Sequence, residues 1–198
     1  MRSCFIYFII MFYISILTAQ NYNRDRWQQP DRILDSVGVK PGMIIGEAGA
    51  GNGYLTFFLS RHVGDSGLIY ANDISRNVLK EIDLRCKKEN IANIETVLGK
   101  ITNPLFPENR LDMVIMLRAF HDFTEPVEWM KNVIPSLKSG ALLVIVDGDP
   151  DKMGSGHHHF YTREKVLSIM KQTAFELVKM MTFLEKDTIY VFRLKRNH

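Results

Sequence analysis

The chain has 198 residues, of which 46% are hydrophobic and 24% are charged, and its formal net charge is +3. These values are ordinary for one globular domain with enough apolar material for a core. The basic residues are scattered, with one small group at Lys195 and Arg196. The composition therefore argues against a nucleic-acid-binding surface.

The first residues have the pattern of a targeting segment. Arg2 precedes an apolar run over residues 5–17, and the small residue Ala19 follows it. This order is typical of a secretory signal peptide, and the run is shorter than the roughly 20 apolar residues of a spanning helix. We expect residues 1–19 to be a signal peptide or an uncleaved membrane anchor. A functional leader predicts export or membrane association, and otherwise the protein is expected in the cytoplasm.

Residues 20–42 are expected to form a polar segment and a helix ahead of a main domain over residues 43–198. Pro30 suits the first turn of that helix, and Gly38 suits its end. Trp27 lies in the polar segment, and we expect it either to pack against the domain or to cover a site as a lid.

From residue 43 onward, predicted strands and helices alternate. Strands are expected from residue 44 and over 68–71, 94–98, 111–117, 141–146, 176–183 and 188–194. Helices are expected from Tyr54, after the capping residues Ser75 and Thr124, and from Thr162, with Leu137 on the buried side of the Thr124 helix. This alternation predicts an α/β fold with a three-layer, doubly wound, mostly parallel sheet of seven strands and an antiparallel last strand. In such sheets, ligands lie outside the carboxyl ends of the strands.

A glycine-rich turn follows the first predicted strand. Glu47 ends the strand, and Gly49, Gly51 and Gly53 follow at alternate positions before the helix that begins at Tyr54. Glycine lets a backbone approach a ligand closely, and the helix that follows points its free N–H groups at the same place. The turn therefore predicts a site for a nucleotide-like ligand.

Polar side chains also follow the other predicted strands. Asp73 comes about twenty residues after the last glycine of the turn, where a carboxylate can accept hydrogen bonds from both hydroxyls of a ribose. Lys100 follows the third strand, Arg118 the fourth and Asp147 the fifth. Because the carboxyl ends of parallel strands share one edge, we expect these residues to meet there.

With these residues, the chain resembles the class I S-adenosylmethionine-dependent methyltransferases from Pro30 to the C-terminus. The family's signature of an acidic residue followed by alternate glycines stands here as the segment from Glu47 to Gly53. A dinucleotide-binding turn more often reads Gly-x-Gly-x-x-Gly. The closing pair of strands is a second mark of the family. The resemblance implies a Rossmann-like methyltransferase domain over residues 43–198 that uses S-adenosylmethionine.

The resemblance also implies a role for each residue of the methyl-donor site. Glu47 would face the methionine ammonium, Asp73 would hold the ribose, and Ile74 would pack on the adenine. The family often has an aspartate where this chain has Lys100. Because lysine cannot accept a hydrogen bond, adenine recognition is expected to use the backbone near Ile101. The cofactor-binding candidates are Glu47, Gly49, Gly51, Gly53, Tyr54, Asp73, Ile74, Lys100, Ile101 and Arg118.

His121 and Asp147 are the candidate catalytic residues. A methyl group on a sulfonium is already activated, so alignment of the acceptor supplies most of the effect. If the acceptor must lose a proton, His121 is the best-placed base, with Asp122 and Asp147 nearby. The alternative is a loop histidine whose hydrogen bonds go to the backbone.

A run of histidines at residues 157–159 lies in a loop that also contains several aspartates. Three interpretations are open, namely a metal site, a lining of the acceptor pocket and a solvated loop. Adjacent histidines do not converge on one ion, so the metal site is the least favoured of the three and no metal ligand is assigned.

The leading interpretation is an S-adenosylmethionine-dependent methyltransferase that acts on a small-molecule acceptor, without nucleic acid as a partner. One alternative is a non-catalytic domain that keeps the fold and binds a ligand or a partner. The other alternative is an NAD(P)-dependent oxidoreductase, which the glycine spacing disfavours.

Overall fold

The computed structural model describes residues 24–154, 156 and 158–195. The leader predicted over residues 1–19, and His157 of the histidine run, lie outside the described residues. In the part that is described, no helix has both the length and the apolar character needed to cross a membrane.

Seven strands form one sheet in the order β3-β2-β1-β4-β5-β7-β6. Their bounds are Ile44–Ala48 (β1), Leu68–Asp73 (β2), Ile94–Leu98 (β3), Leu111–Leu117 (β4), Leu137–Gly148 (β5), Phe175–Met181 (β6) and Asp187–Leu194 (β7). Strands β1 to β5 pair in parallel, whereas β7 runs antiparallel to both of its neighbours, β5 and β6. This topology confirms the predicted fold class.

Helices connect the strands and cover both faces of the sheet. Their bounds are Pro30–Val37 (α1), Tyr54–Val63 (α2), Arg76–Glu89 (α3), Pro126–Val133 (α4), Pro150–Met153 (α5) and Arg163–Lys171 (α6). Residues 24–28 are also helical, and short 3₁₀ turns lie at Phe120–Asp122 and Ile134–Ser136.

The core has one layer on each side of the sheet. Along β4, Val114 and Met116 belong to the layer that contains residues of α4 and α6. The alternate residues Met113 and Ile115 belong to the layer that contains residues of α1 and α2. Because successive strand residues point to opposite faces, a strand that is covered on both sides is apolar throughout. This explains why β4 is nearly continuous in apolar residues.

The start and end of α4 differ from the prediction. Thr124 was expected to cap the helix, but the N-cap is Glu125, without a side-chain cap hydrogen bond, because Pro126 takes the first position. Leu137 was expected on the buried side of this helix. The α-helix instead ends at Val133, just before the 3₁₀ turn that contains Pro135, and Leu137 is the first residue of β5.

The strand order reverses between β1 and β4. Strands β2 and β3 lie on one side of β1, while β5, β7 and β6 lie beyond β4. Loops after β1 and β4 therefore leave the sheet in opposite directions and open a crevice at its carboxyl edge. The glycine turn follows β1 at this crevice.

Candidate active site

The glycine turn is shaped by positive φ angles and by one close contact. Gly49, Gly51 and Gly53 have φ angles of +74°, +53° and +83°. A Cβ atom on Gly49 would lie 2.5 Å from the Cβ atom of Ala119, whereas one on Gly51 would have no atom within 4 Å. The turn thus packs tightly against the loop after β4 at Gly49 and faces open space at Gly51.

Asp73, at the end of β2, is hydrogen-bonded to this turn. Its Oδ2 atom accepts from the Gly51 N–H (3.0 Å), and its Oδ1 atom accepts from the Ser75 N–H (2.8 Å). Ser75 is the N-cap residue of α3, as predicted, but its side chain makes no cap hydrogen bond. Each carboxylate oxygen can accept a second hydrogen bond, so Asp73 retains capacity for ligand hydroxyls.

A cavity of about 430 Å³ opens beside Asp73. Two large apolar residues, Ile74 and Ile101, line this cavity and are exposed to solvent. Ile74 has 63% and Ile101 has 57% of its full accessible area exposed. Exposed apolar side chains in a cavity indicate a surface for an apolar ligand face. The lining residues are Gly49, Gly51, Asn72, Asp73, Ile74, Lys100, Ile101, Arg118, Ala119, Asp122, Phe123, Thr124 and Trp129.

The loop after β3 is held by Asn72, which was not predicted as a site residue. Asn72 is buried, and its Nδ2 atom donates to the carbonyl oxygens of Val97 (3.1 Å) and Pro104 (2.8 Å). The Lys100 N–H donates to the Asn103 carbonyl oxygen (2.8 Å), and this bridge closes the turn that carries Ile101. A polar residue inside an otherwise apolar strand was the available signal for Asn72.

A second cavity, of about 220 Å³, lies on the other side of the glycine turn. Glu47 lines it and is almost completely buried, with Thr56 Oγ1 donating to its Oε2 atom at 2.5 Å. Burial raises the pKa of Glu47 to about 8, and the charge of Asp73 adds to the shift, while Thr56 and Arg24 oppose it. The carboxyl group is therefore poised to ionise when a cation approaches it.

The helical segment of residues 24–28 forms a wall of this second cavity. Arg24 lines the cavity, and its guanidinium carbon lies 3.6 Å from the centre of the Tyr54 ring. The Tyr54 hydroxyl donates to Asp25 Oδ1 (2.7 Å), which fixes the segment against α2. Tyr54 was predicted as a site residue, whereas Arg24 was not, because no local pattern predicts a helix in this short polar segment.

Arg118 lies between the two cavities and lines both of them. Its Nη1 atom donates to Asp187 Oδ1 (2.7 Å), and its guanidinium carbon lies 4.4 Å from the ring centre of Phe160. Asp187 is fully buried at the start of β7 and also accepts from Gln28 Nε2. The half-buried Trp27 ring centre is 5.2 Å from the Arg118 guanidinium carbon, so Trp27 packs close to the site.

His121 and Asp147 form a hydrogen-bonded pair at the ends of β4 and β5. His121 Nδ1 lies 2.8 Å from Asp147 Oδ1, and the His121 N–H donates to Asp147 Oδ2 (2.9 Å). Asp147 is 2% exposed, and Phe160 packs on the imidazole with a ring-centre distance of 4.4 Å. When the buried Asp147 carboxylate accepts the Nδ1 proton, the lone pair of the imidazole is on Nε2, which lies 3.5 Å from Oδ2 of the exposed Asp122.

The histidine run is only partly described. His158 and His159 are exposed, and the His159 ring lies 5.6 Å from the His121 ring. Within the described residues, no group of three or more His, Cys, Asp or Glu side chains is arranged to hold a metal ion.

The structure brings most of the predicted site together. All of the cofactor-binding candidates except Gly53 line one or both cavities. Gly53 instead is the N-cap residue of α2. The pair of His121 and Asp147 lies at the same edge of the sheet but lines neither of these two cavities. Asp187 was missed, because its place beside Gly148 of β5 depends on the antiparallel pairing of β7.

Comparisons with known proteins agree with this geometry. Residues 45–140 match a family model described as a methyltransferase domain. The ubiquinone/menaquinone biosynthesis C-methyltransferase UbiE of Shewanella sediminis is 27% identical over 115 residues, which covers 58% of this chain and 46% of that protein. The chain spans about half the length of the curated relatives it matches.

Two solved structures share the fold. A SAM-dependent methyltransferase from Aquifex aeolicus has a TM-score of 0.79 at 22% identity, covering 85% of this chain and 91% of that one. The geranyl diphosphate C-methyltransferase from Streptomyces coelicolor A3(2) has a TM-score of 0.70 at 12% identity, covering 87% of this chain and 80% of that one. That structure contains Mg²⁺, geranyl diphosphate and S-adenosyl-L-homocysteine.

The sheet order and these structural likenesses define a Rossmann-like methyltransferase fold. Residues 45–140 match a methyltransferase domain and the solved structures share its fold, in agreement with the resemblance to class I S-adenosylmethionine-dependent methyltransferases seen in the sequence. The oxidoreductase alternative finds no support in these comparisons.

Proposed function

We propose that the protein is an S-adenosylmethionine-dependent methyltransferase that acts on a small-molecule acceptor. The observation that carries this proposal is the glycine turn between two adjoining cavities, with Asp73 in one and Glu47 in the other. The names of the relatives support the class of acceptor, since UbiE acts in quinone biosynthesis and the Streptomyces enzyme methylates geranyl diphosphate.

The larger cavity suits the adenosine part of the donor. Asp73 would accept hydrogen bonds from the ribose hydroxyls, and the exposed side chains of Ile74 and Ile101 would offer an apolar surface to the adenine. Lys100 lines the same cavity and can only donate, so it would not accept a hydrogen bond from the adenine amine. The backbone at Ile101 supplies the remaining recognition.

The smaller cavity suits the methionine part. Glu47 faces the ammonium group, and the glycine turn from Gly49 to Gly53 lets the backbone approach the ligand. Tyr54 and Arg118 form the walls of this cavity. When bound, the donor supplies a methyl group already activated by a sulfonium.

His121 removes the acceptor proton where methylation requires it. Asp147 accepts the Nδ1 proton of His121, so the Nε2 lone pair is the basic site. The hydrogen bond from the His121 backbone N–H to Asp147 fixes the carboxylate beside the ring. Asp147 acts as a positioning residue through His121. Alignment of the acceptor at the crevice supplies the larger part of the rate effect.

Titration calorimetry with S-adenosylhomocysteine, S-adenosylmethionine and NAD tests the donor assignment. We expect heat from both sulfur ligands and none from NAD. Asp73→Ala should weaken S-adenosylhomocysteine binding by about 1–3 kcal/mol, because its ribose hydrogen bonds are lost. Asp73→Asn keeps one acceptor oxygen for the Gly51 N–H and controls for distortion of the turn. Unchanged affinity in Asp73→Ala refutes the ribose assignment, and no heat with either sulfur ligand refutes the function.

The non-catalytic alternative rests on Lys100, which lines the larger cavity where the family often has an acceptor carboxylate. It predicts that the cavity binds a ligand other than the methyl donor. A Lys100→Asp variant that gains S-adenosylhomocysteine binding absent from the wild-type protein would support this alternative.

We further propose, from the sequence alone, that residues 1–19 export the protein or anchor it to a membrane. Mass spectrometry of the mature protein is the test. A mature N-terminus that begins after residue 19 supports a cleaved leader, and an intact Met1 in the membrane fraction supports an anchor. An intact Met1 in the soluble fraction contradicts both.

A further inference from the structure

The smaller cavity presents an ionisable carboxyl group and a cation to one ligand, and the ligand that they would bind follows from the proposed function. Glu47 and Arg24 both line this space of about 220 Å³ beside the glycine turn. The two side chains come from distant parts of the chain, β1 and the helical segment of residues 24–28. A carboxyl group opposite a guanidinium group matches the ammonium and carboxylate of an α-amino acid.

Arg24 is a cation without a carboxylate partner. Its guanidinium lies on the Tyr54 ring, and among the described residues no Asp or Glu forms an ion pair with it. Burial lowers the pKa of Arg24 from its ordinary value and the charge of Arg118 adds to this, while Tyr54 and the more distant carboxylates of Asp187 and Asp25 oppose it without forming an ion pair. A partly buried guanidinium with free N–H donors is a site for a carboxylate, which it can bind through two parallel hydrogen bonds.

Arg118 lines the same cavity but already forms an ion pair with a carboxylate. Its Nη1 atom donates to the buried Asp187 at 2.7 Å, and the guanidinium packs near Trp27 and Phe160. The ion pair with Asp187 neutralises much of its charge. Of these two arginines, Arg24 is therefore the one that makes no direct ion pair within the described residues and can offer its guanidinium to a ligand.

We propose that Arg24 binds the carboxylate of the donor's methionine part, opposite Glu47 at the ammonium. The inference rests on the proposed function and adds a specificity determinant that lies before the matched methyltransferase domain. It requires the segment of residues 24–28 to remain on α2, where the hydrogen bond from Tyr54 to Asp25 holds it. The site then selects adenosyl ligands that carry an intact amino-acid end.

Calorimetry with two adenosyl ligands tests this assignment. S-Adenosylhomocysteine carries the amino-acid end, and 5′-methylthioadenosine lacks it. Arg24→Gln should weaken binding of S-adenosylhomocysteine by about 10- to 100-fold, as expected for loss of hydrogen bonds between charged groups. It should leave 5′-methylthioadenosine binding within about two-fold, because that ligand offers no carboxylate.

Arg26→Gln is the matched control, since Arg26 is exposed on the same helical segment and lines neither cavity. It should bind both ligands as the wild-type protein does. Unchanged S-adenosylhomocysteine affinity in Arg24→Gln overturns the assignment, and so does an equal loss for both ligands, which would indicate a general distortion. If the wild-type protein binds neither ligand, the proposed function itself fails.

Discussion

Glu47 shows how burial prepares a side chain for its ligand. It is almost completely buried at the end of β1, with one hydrogen bond from Thr56. Because its pKa is raised to about 8, the carboxyl group is largely protonated at neutral pH in the free protein. An ammonium group nearby would favour the ionised form and lower this pKa.

Ligand binding should therefore release a proton from Glu47. Below about pH 8, Glu47 is protonated in the free protein and ionised in the complex. Affinity for S-adenosylhomocysteine should therefore increase as the pH is raised towards 8. Calorimetry at pH 7 in buffers of different ionisation enthalpy measures the proton. Glu47→Gln keeps an acceptor for Thr56 and should abolish the release. Equal heats in all buffers for the wild-type protein would contradict the role of Glu47.

His121 depends on Asp147 for the position of its proton. The Nδ1 atom of His121 is 2.8 Å from Asp147 Oδ1, and the carboxylate has no proton to give when it is ionised. The structure therefore favours the tautomer with the proton on Nδ1 and the lone pair on Nε2.

Asp147→Asn should weaken the preference for this tautomer, because an amide has one acceptor oxygen where the carboxylate accepts from His121 Nδ1 and from the backbone N–H groups of His121 and Gly148. Nitrogen-15 NMR of the histidine ring reads the change directly and needs no knowledge of the acceptor.

With an acceptor that must lose a proton, His121→Asn should lower kcat by about 10²–10⁴-fold, the usual contribution of a general base. Affinity for S-adenosylhomocysteine should stay unchanged in both variants. A wild-type imidazole with its proton on Nε2 would exclude the proposed role.

Among the structural elements, the glycine turn shows two different reasons for a glycine, a positive φ angle and a lack of space for a Cβ atom. The glycine spacing in the sequence does not distinguish them. Gly49 needs both a positive φ angle and the absence of a Cβ atom, which would lie 2.5 Å from the Ala119 Cβ atom. Gly51 needs only its φ angle, because no atom lies within 4 Å of its ideal Cβ position. The turn thus contains a packing glycine and a ligand-facing glycine.

Alanine at the two positions should therefore have different effects on stability. Gly51→Ala should lower the free energy of unfolding by about 1–2 kcal/mol, the cost of a left-handed backbone for a residue with a Cβ atom. Gly49→Ala should cost about 1–3 kcal/mol more, because the clash with Ala119 is added. Urea unfolding of the two variants without ligand measures the difference. Equal losses of unfolding free energy in the two variants would mean that the loop after β4 moves easily at Ala119 to accommodate a Cβ atom at residue 49.

The sequence predicted those elements whose signals are local. The apolar run of β4 and the Pro and Gly residues that bound α1 each act within a few positions, so their prediction needed no tertiary information. The helical segment of residues 24–28 was not predicted, since a single short turn of helix is unstable alone. Tertiary contacts hold it, such as the hydrogen bond from Tyr54 to Asp25.

The residues of the candidate site were likewise predicted where their signals are local and missed where they depend on tertiary contacts. Asp73, Lys100 and Asp147 were found because each follows a predicted strand, and parallel strands bring their carboxyl ends together. Arg24 and Asp187 were missed, because their positions depend on contacts between distant parts of the chain. Asp187 reaches the site through the antiparallel pairing of β7 with β5.

For the whole molecule, the strand order decides where these groups meet. The reversal between β1 and β4 opens a crevice that is lined from one side by the glycine turn and from the other by the loop after β4. The first described residues and the start of β7 close the crevice from outside, joined by the hydrogen bond from Gln28 to Asp187. One ligand that spans both cavities would contact all of these parts.

A crystal structure of the protein with S-adenosylhomocysteine tests this central claim most directly. We expect continuous ligand density across the glycine turn, with the ribose at Asp73, the base between Ile74 and Ile101, and the amino-acid end beside Glu47. Density for the ligand outside these two cavities, or a ribose that makes no contact with Asp73, would contradict the account.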